Sequence, residues 1–135
     1  MQLANRHKMK LNILVTDDCS TVRLLISKTI RLSDLPVDRI IEAENGAEGL
    51  KQMAENRVDL ILMDINMPEM DGVTMLEHMR MNPEYRKIPV LVVTAESNKQ
   101  RVPTTDMDNI AFLSKPFTPQ LLRDAVINIT GVTNS

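Results

Sequence analysis

Five side chains in this chain combine into one plausible chemistry: Asp17 and Asp18, Asp64, Thr94 and Lys115. Each stands at or just beyond the end of a short apolar run. Three carboxylates brought together repel one another and raise each other's pKa unless a cation fills the space between them. A donor set without His or Cys and with few protein ligands favours a hard divalent ion, Mg²⁺, which keeps several waters and shares positions with phosphate oxygens. A lysine and a threonine on the opposite side offer positive charge and a hydroxyl donor to an incoming anion, the arrangement used for a transferring phosphoryl group. A carboxylate between them can be the nucleophile. Singly, each residue has an ordinary role: Asp17 or Asp18 as a helix cap, Asp64 starting a turn, Thr94 ending a strand, Lys115 in solvent. Their joint placement carries the argument, and Cys19 beside the acidic pair is not needed as a ligand.

The runs that position them are Leu11-Asn12-Ile13-Leu14-Val15, Arg39-Ile40-Ile41-Glu42-Ala43, Val58 to Met63, Pro89 to Thr94, and a weaker Ile110-Ala111-Phe112-Leu113. The stronger ones are nearly continuous in hydrophobicity, the mark of strands buried on both faces of a parallel sheet. Helical patterns alternate with them. Ser20 is the expected N-cap of a helix with Val22, Leu25, Ile26, Thr29 and Ile30 inward. A second helix is expected over Gly46 to Glu55 with Ala47, Leu50 and Ala54 inward, and a third from about Asp71 with Val73, Leu76 and Met79 or Arg80 inward. The last is capped by Thr118, has Pro119 in its first turn, buries Leu121, Leu122, Ala125, Val126 and Ile129, and ends at Gly131. The alternation predicts an α/β domain: a doubly wound, five-stranded parallel sheet with helices on both faces. Ligands bind outside the carboxyl ends of strands in such sheets, where the five side chains fall.

At 135 residues the chain is one ordinary domain, with residues 1–10 read as a basic lead-in and 11–135 as the domain. A net charge of −2 provides no field favouring nucleic acid or an anionic membrane, and no apolar run approaches the ~20 residues that cross a bilayer. The single cysteine excludes an internal disulfide, and without a secretory leader pattern the expectation is a cytoplasmic protein. Three aromatic residues, Tyr85, Phe112 and Phe117, are too few for nucleic-acid stacking platforms. His78 reads as a surface residue, and the methionines around the third helix (Met70, Met75, Met79, Met81) as core and rim packing. Neither a dinucleotide fingerprint nor a Walker lysine motif occurs.

From about Leu11 to Ile129 the chain resembles the receiver domains of bacterial response regulators in two-component signalling, within them the stand-alone CheY-like chemotaxis type. The resemblance rests on Leu14-Val15-Thr16-Asp17-Asp18, on Leu62-Met63-Asp64-Ile65-Asn66-Met67-Pro68-Glu69-Met70-Asp71-Gly72, on Val93-Thr94-Ala95-Glu96, and on Phe112-Leu113-Ser114-Lys115-Pro116-Phe117. It implies that Asp64 is the phosphoryl acceptor and that Asp18, Asp64 and the backbone carbonyl of Asn66 coordinate Mg²⁺, with Asp17 helping through a water. It further implies that Lys115 pairs with the phosphoryl oxygens, next to a Lys115–Pro116 peptide that is commonly cis. Thr94 would bond a phosphoryl oxygen, Phe112 would hold the aromatic switch position, and the side chains of Asn66 and Glu96 would tune dephosphorylation. Gly72 would stand where the family needs a close turn after the acceptor loop. The donor would be a histidine kinase or histidine phosphotransfer protein. The output would be phosphorylation-dependent protein binding, with a flagellar motor switch as the chemotactic target and neither nucleic acid nor membrane involved.

One segment departs from that pattern. Between Thr94 and Lys115, where the family has a full fourth helix, Pro103, Thr104, Thr105 and few apolar residues predict a short or irregular one, since proline inside a helix costs ~3 kcal/mol. Asn109 is expected in the left-handed turn position that glycine usually fills. Two other functions compete with the switch: a phosphorelay intermediate or phosphate sink without its own output, and a Mg²⁺-dependent phosphohydrolase. The second would need a general-acid carboxylate near the nucleophile and a substrate-covering cap, neither of which the sequence offers, so the chain is expected not to be an enzyme beyond assisting its own phosphorylation and dephosphorylation.

Overall fold

A computed structural model of the chain describes residues 10–64, 72–95 and 109–132. Their strands are β1 (Leu11–Thr16), β2 (Val37–Ala43), β3 (Leu60–Met63), β4 (Val90–Thr94) and β5 (Ile110–Ser114); the helices are α1 (Ser20–Leu32), α2 (Gly46–Glu55), α3 (Gly72–Arg80) and α4 (Pro119–Thr130). The strands form one sheet in the order β2-β1-β3-β4-β5, every pair parallel. The chain leaves β1 toward β2 and then crosses back to β3, so the carboxyl ends of β1 and β3 flank the point where the winding reverses.

Every residue of β1, β3 and β4 is buried, as continuous apolar runs require of central strands, while β2 and β5 form the partly exposed edges. Alternate side chains feed two cores. Leu14, Ile61, Met63, Val90 and Val92 pack with Met53 of α2 and Met75, Leu76 and Met79 of α3. Ile13, Val15, Leu60, Leu62, Leu91 and Val93 pack with Ile26 and Ile30 of α1 and Leu122 and Val126 of α4. The doubly wound α/β architecture expected from the alternation is the one observed.

Several local expectations need correction. Cys19, not Ser20, is the N-cap of α1, and it makes no side-chain cap bond. In α1 only Ile26 and Ile30 are fully buried; Leu25 is 57% exposed, because the sheet offers one helix little more than a single ridge of contact. In α2, Leu50 packs against the core as expected, beside the buried Gly46, Gly49 and Met53, but Ala47 and Ala54 are outside. Asn45 caps this helix by accepting from the Glu48 amide at 2.8 Å. In α3, Met75 and Met79 are core and His78 lies in solvent, as expected, but Met81 is fully on the surface. In α4 the Thr118 cap, Pro119 and the left-handed Gly131 (φ 73°) are as expected, but Leu121 is exposed.

Asn109 does not take the left-handed position; among the described residues the non-glycine with positive φ is Asp34. The Asn109 side chain instead donates to the carbonyls of Arg86 (3.0 Å) and Ile88 (2.8 Å), while its own carbonyl accepts from Val90. It thereby ties the entry of β5 to the loop before β4. The expected short or irregular helix between β4 and β5, and the helix start at Asp71, fall outside the described residues.

Candidate phosphoryl-acceptor pocket

The strand ladders run past the ends of the strands and fix the backbone of three site residues. The amide of Asp17 donates to Ala43 of β2 (3.1 Å), that of Asp64 to Thr16 of β1 (3.1 Å), and that of Lys115 to Thr94 of β4 (3.0 Å). Four segments far apart in sequence therefore deliver their side chains to one edge of the sheet.

There the Lys115 ammonium sits between two carboxylates, 3.2 Å from Asp64 Oδ2 and 3.4 Å from Asp17 Oδ2. The buried Thr94 hydroxyl donates to Asp64 Oδ1 in a long contact of 3.4 Å. Asp17 is 2% exposed, and its Oδ1 accepts from the Cys19 amide at 3.0 Å. Burial pushes the Asp17 carboxyl above the ordinary aspartate range; the Cys19 amide and Lys115 oppose the rise, and Asp64 and Asp18 add to it. Burial alone would lower the Lys115 pKa, but the Asp64 and Asp17 carboxylates outweigh it and hold the ammonium above its usual 10.5. The Lys115–Pro116 peptide is cis.

Of the residues singled out in the sequence, Asp17, Asp64, Thr94 and Lys115 converge. Asp18 is exposed at the rim, close enough to act on the Asp17 carboxyl. Phe112 stands on edge strand β5, 36% exposed. Asn66 and Glu96 lie outside the described residues. Three carboxylates against one ammonium leave an excess of two negative charges, which matches a divalent cation, and every donor is a hard oxygen. Among the described residues no three His, Cys, Asp or Glu side chains are grouped so as to hold a metal by themselves. The fit to Mg²⁺ is thus that of an open acidic site completed by water and backbone oxygen, not of a closed cage.

Arg23 escaped the sequence reading. Its Nη1 donates to the Asp17 carbonyl at 2.7 Å and its Nε to Glu42 Oε1 at 2.9 Å. A cation near a helix N-terminus opposes the helix dipole, and that mismatch was the available signal.

The family model for the response regulator receiver domain matches residues 13–127. The chain is 35% identical over 123 residues to a chemotaxis protein CheY homolog of Campylobacter jejuni, covering 90% of this chain and 93% of that protein. It is 32% identical over 126 residues to chemotaxis protein CheY1 of Helicobacter pylori, covering 92% of this chain and all of that one (100%). The structure of the chemotaxis response regulator CheY4 of Vibrio cholerae superposes with a TM-score of 0.76 at 27% identity, over 90% of this chain and 99% of that one. With the family model spanning most of both cores and Asp17, Asp64, Thr94 and Lys115 of the pocket, the chain belongs to the response regulator receiver domains of two-component signalling.

Proposed function

We propose that the protein is a CheY-like response regulator that accepts a phosphoryl group on Asp64 from a phosphohistidine of a kinase or phosphotransfer protein. The observation that carries this reading is the setting of Asp64 at the carboxyl end of β3, one carboxylate oxygen facing the Lys115 ammonium and the other the Thr94 hydroxyl. An oxygen of Asp64 attacks phosphorus in line, the new O–P bond forms as the N–P bond to histidine breaks, and the imidazole nitrogen takes the electron pair. Lys115 offsets the negative charge on the transferred group, and Thr94 donates to one of its oxygens. Bound Mg²⁺, held by Asp17, Asp18 and Asp64 with the Asn66 carbonyl implied by the family pattern, would supply further positive charge at the same oxygens.

The acyl phosphate draws Thr94 and Lys115 toward new acceptors and away from the contacts they make here. That redistribution biases a two-state element containing β4, β5 and Phe112, and a protein partner reads the outcome. Similarity to chemotaxis CheY proteins over nine-tenths of the chain supports a flagellar switch as that partner, in the cytoplasm. No helix among the described residues is long and apolar enough to cross a membrane. Self-assisted phosphorylation and dephosphorylation are the only chemistry assigned, so the protein is a switch and not a turnover enzyme.

Intact-mass measurement after incubation with acetyl phosphate tests the proposal. A gain of one phosphoryl group that requires Mg²⁺, is released by hydroxylamine and is missing in Asp64→Asn is expected. Labelling that persists in Asp64→Asn would overturn the assignment of the acceptor.

A further inference from the structure

Asp17 is held at each of its polar groups. Its amide donates to Ala43 of β2, its Oδ1 accepts from Cys19, its Oδ2 faces Lys115, and its carbonyl accepts from Arg23 at 2.7 Å. The Arg23 contact is the shortest of the four and comes from a side chain only 15% exposed. It acts where α1 lacks a side-chain cap, at the turn that aims Asp17 and Asp18. Arg23 is itself braced, because its Nε donates to Glu42 at 2.9 Å, and Glu42 stands on β2 opposite Val15 of β1. A planar guanidinium can serve a carbonyl and a carboxylate in fixed directions at once, which an ammonium on a flexible stem does less well.

We propose that Arg23 is a positioning residue for the phosphoryl-acceptor pocket: by clamping the Asp17 carbonyl to Glu42 of β2 it fixes the Asp17–Asp18 turn and thereby sets the affinity of the acidic pair for a divalent cation. This rests on the receiver reading of the pocket. The sign of the effect separates positioning from charge. On electrostatics alone, removing a cation beside an acidic site tightens metal binding; loss of the clamp loosens it by leaving the turn to be ordered at the moment of binding. Residues that hold metal ligands in place cost about tenfold or more in affinity when replaced.

Calorimetric titration of the full chain with MgCl₂ tests this, together with thermal unfolding in EDTA. Arg23→Gln is expected to bind Mg²⁺ about tenfold more weakly than wild type, by far more than its metal-free unfolding midpoint changes. Arg23→Lys should stay on the weak side despite its charge, and Glu42→Gln, which keeps an acceptor for Nε, should remain near wild type. Should Arg23→Gln fail to fold, the contrast between Arg23→Lys and Glu42→Gln carries the test. Affinity unchanged or tightened in the Arg23 variants, or fully restored by lysine, would overturn the clamp while leaving the receiver reading intact. A wild-type chain that neither binds Mg²⁺ nor gains a phosphoryl group would overturn both.

Discussion

Asp17 and Asp64 share one ammonium, and the two carboxylates are not equivalent. Asp17 is the more deeply enclosed, and its raised pKa means that the native environment disfavours its ionised form. A group with a folded pKa above the unfolded value contributes stability that is fully present below the unfolded pKa, 3.8 for Asp17, and lost as pH rises through the folded one. At neutral pH, then, Asp17 weakens the metal-free fold, and Asp17→Asn should stabilise it. Urea unfolding in EDTA at pH 7 checks this, and the gain should shrink as pH is lowered toward 4. The same rule applied to Lys115 gives a contribution held below its ordinary 10.5 and lost as pH climbs through the higher folded value. Side-chain chemistry at this scale was legible in the sequence where a charged or hydroxyl residue stands at the end of an apolar run or within two residues beyond it, as at Asp17, Asp64, Thr94 and Lys115. Arg23 was not, because its role is to hold a main-chain carbonyl, and no residue type at Asp17 announces where its carbonyl points.

Gly49 shows what an element needs beyond its periodicity. It lies on the buried face of α2, and a Cβ there would come within 2.9 Å of Met75 Cε and 3.2 Å of Thr16 Cγ2. The missing side chain lets α2 approach β1 and α3 closely, which is why the inward face runs through Gly46, Gly49 and Met53 and not through Ala47 and Ala54. Gly49→Val should destabilise the domain by about 1–3 kcal/mol through overpacking. Gly49→Ala should be much milder, since a helix gain of about 1 kcal/mol relative to glycine offsets a clash with the mobile end of Met75. Chemical denaturation of the two variants against wild type decides it, and a neutral Gly49→Val would mean that α2 is not seated on Thr16. The sequence disclosed each described element, because strand burial and helical periodicity are local signals, although of the N-caps only Thr118 was read correctly. It placed Leu50 of α2 inward correctly but misjudged Ala47 and Ala54 and how much of α1 is covered, since those depend on how near neighbouring elements can come. Asn109 failed as a left-handed turn for a related reason: its amide satisfies two carbonyls of a distant loop, a tertiary partner that outweighs local turn preference.

For the molecule as a whole, the pocket exists only when the ends of β1, β3, β4 and β5 are assembled, since Asp17, Asp64, Thr94 and Lys115 come from different strands of one sheet. An unfolded chain offers a divalent ion only scattered carboxylates, so binding to the native state must raise global stability by mass action. With Mg²⁺ at roughly a hundred times its dissociation constant the gain is about 2.7 kcal/mol. Thermal unfolding in MgCl₂ should therefore show a higher midpoint than in EDTA with NaCl at matched ionic strength, the match being needed because a chain of net charge −2 also responds to general screening. Asp64→Asn should lose most of this shift, because it removes a donor while leaving both cores untouched. An equal shift in Asp64→Asn would place the ion elsewhere on the surface and separate metal binding from the acceptor. If the shift is confined to chains with the intact acidic pair, cation, acceptor and sheet act as one cooperative unit, and loading the pocket is felt by every strand that ends there.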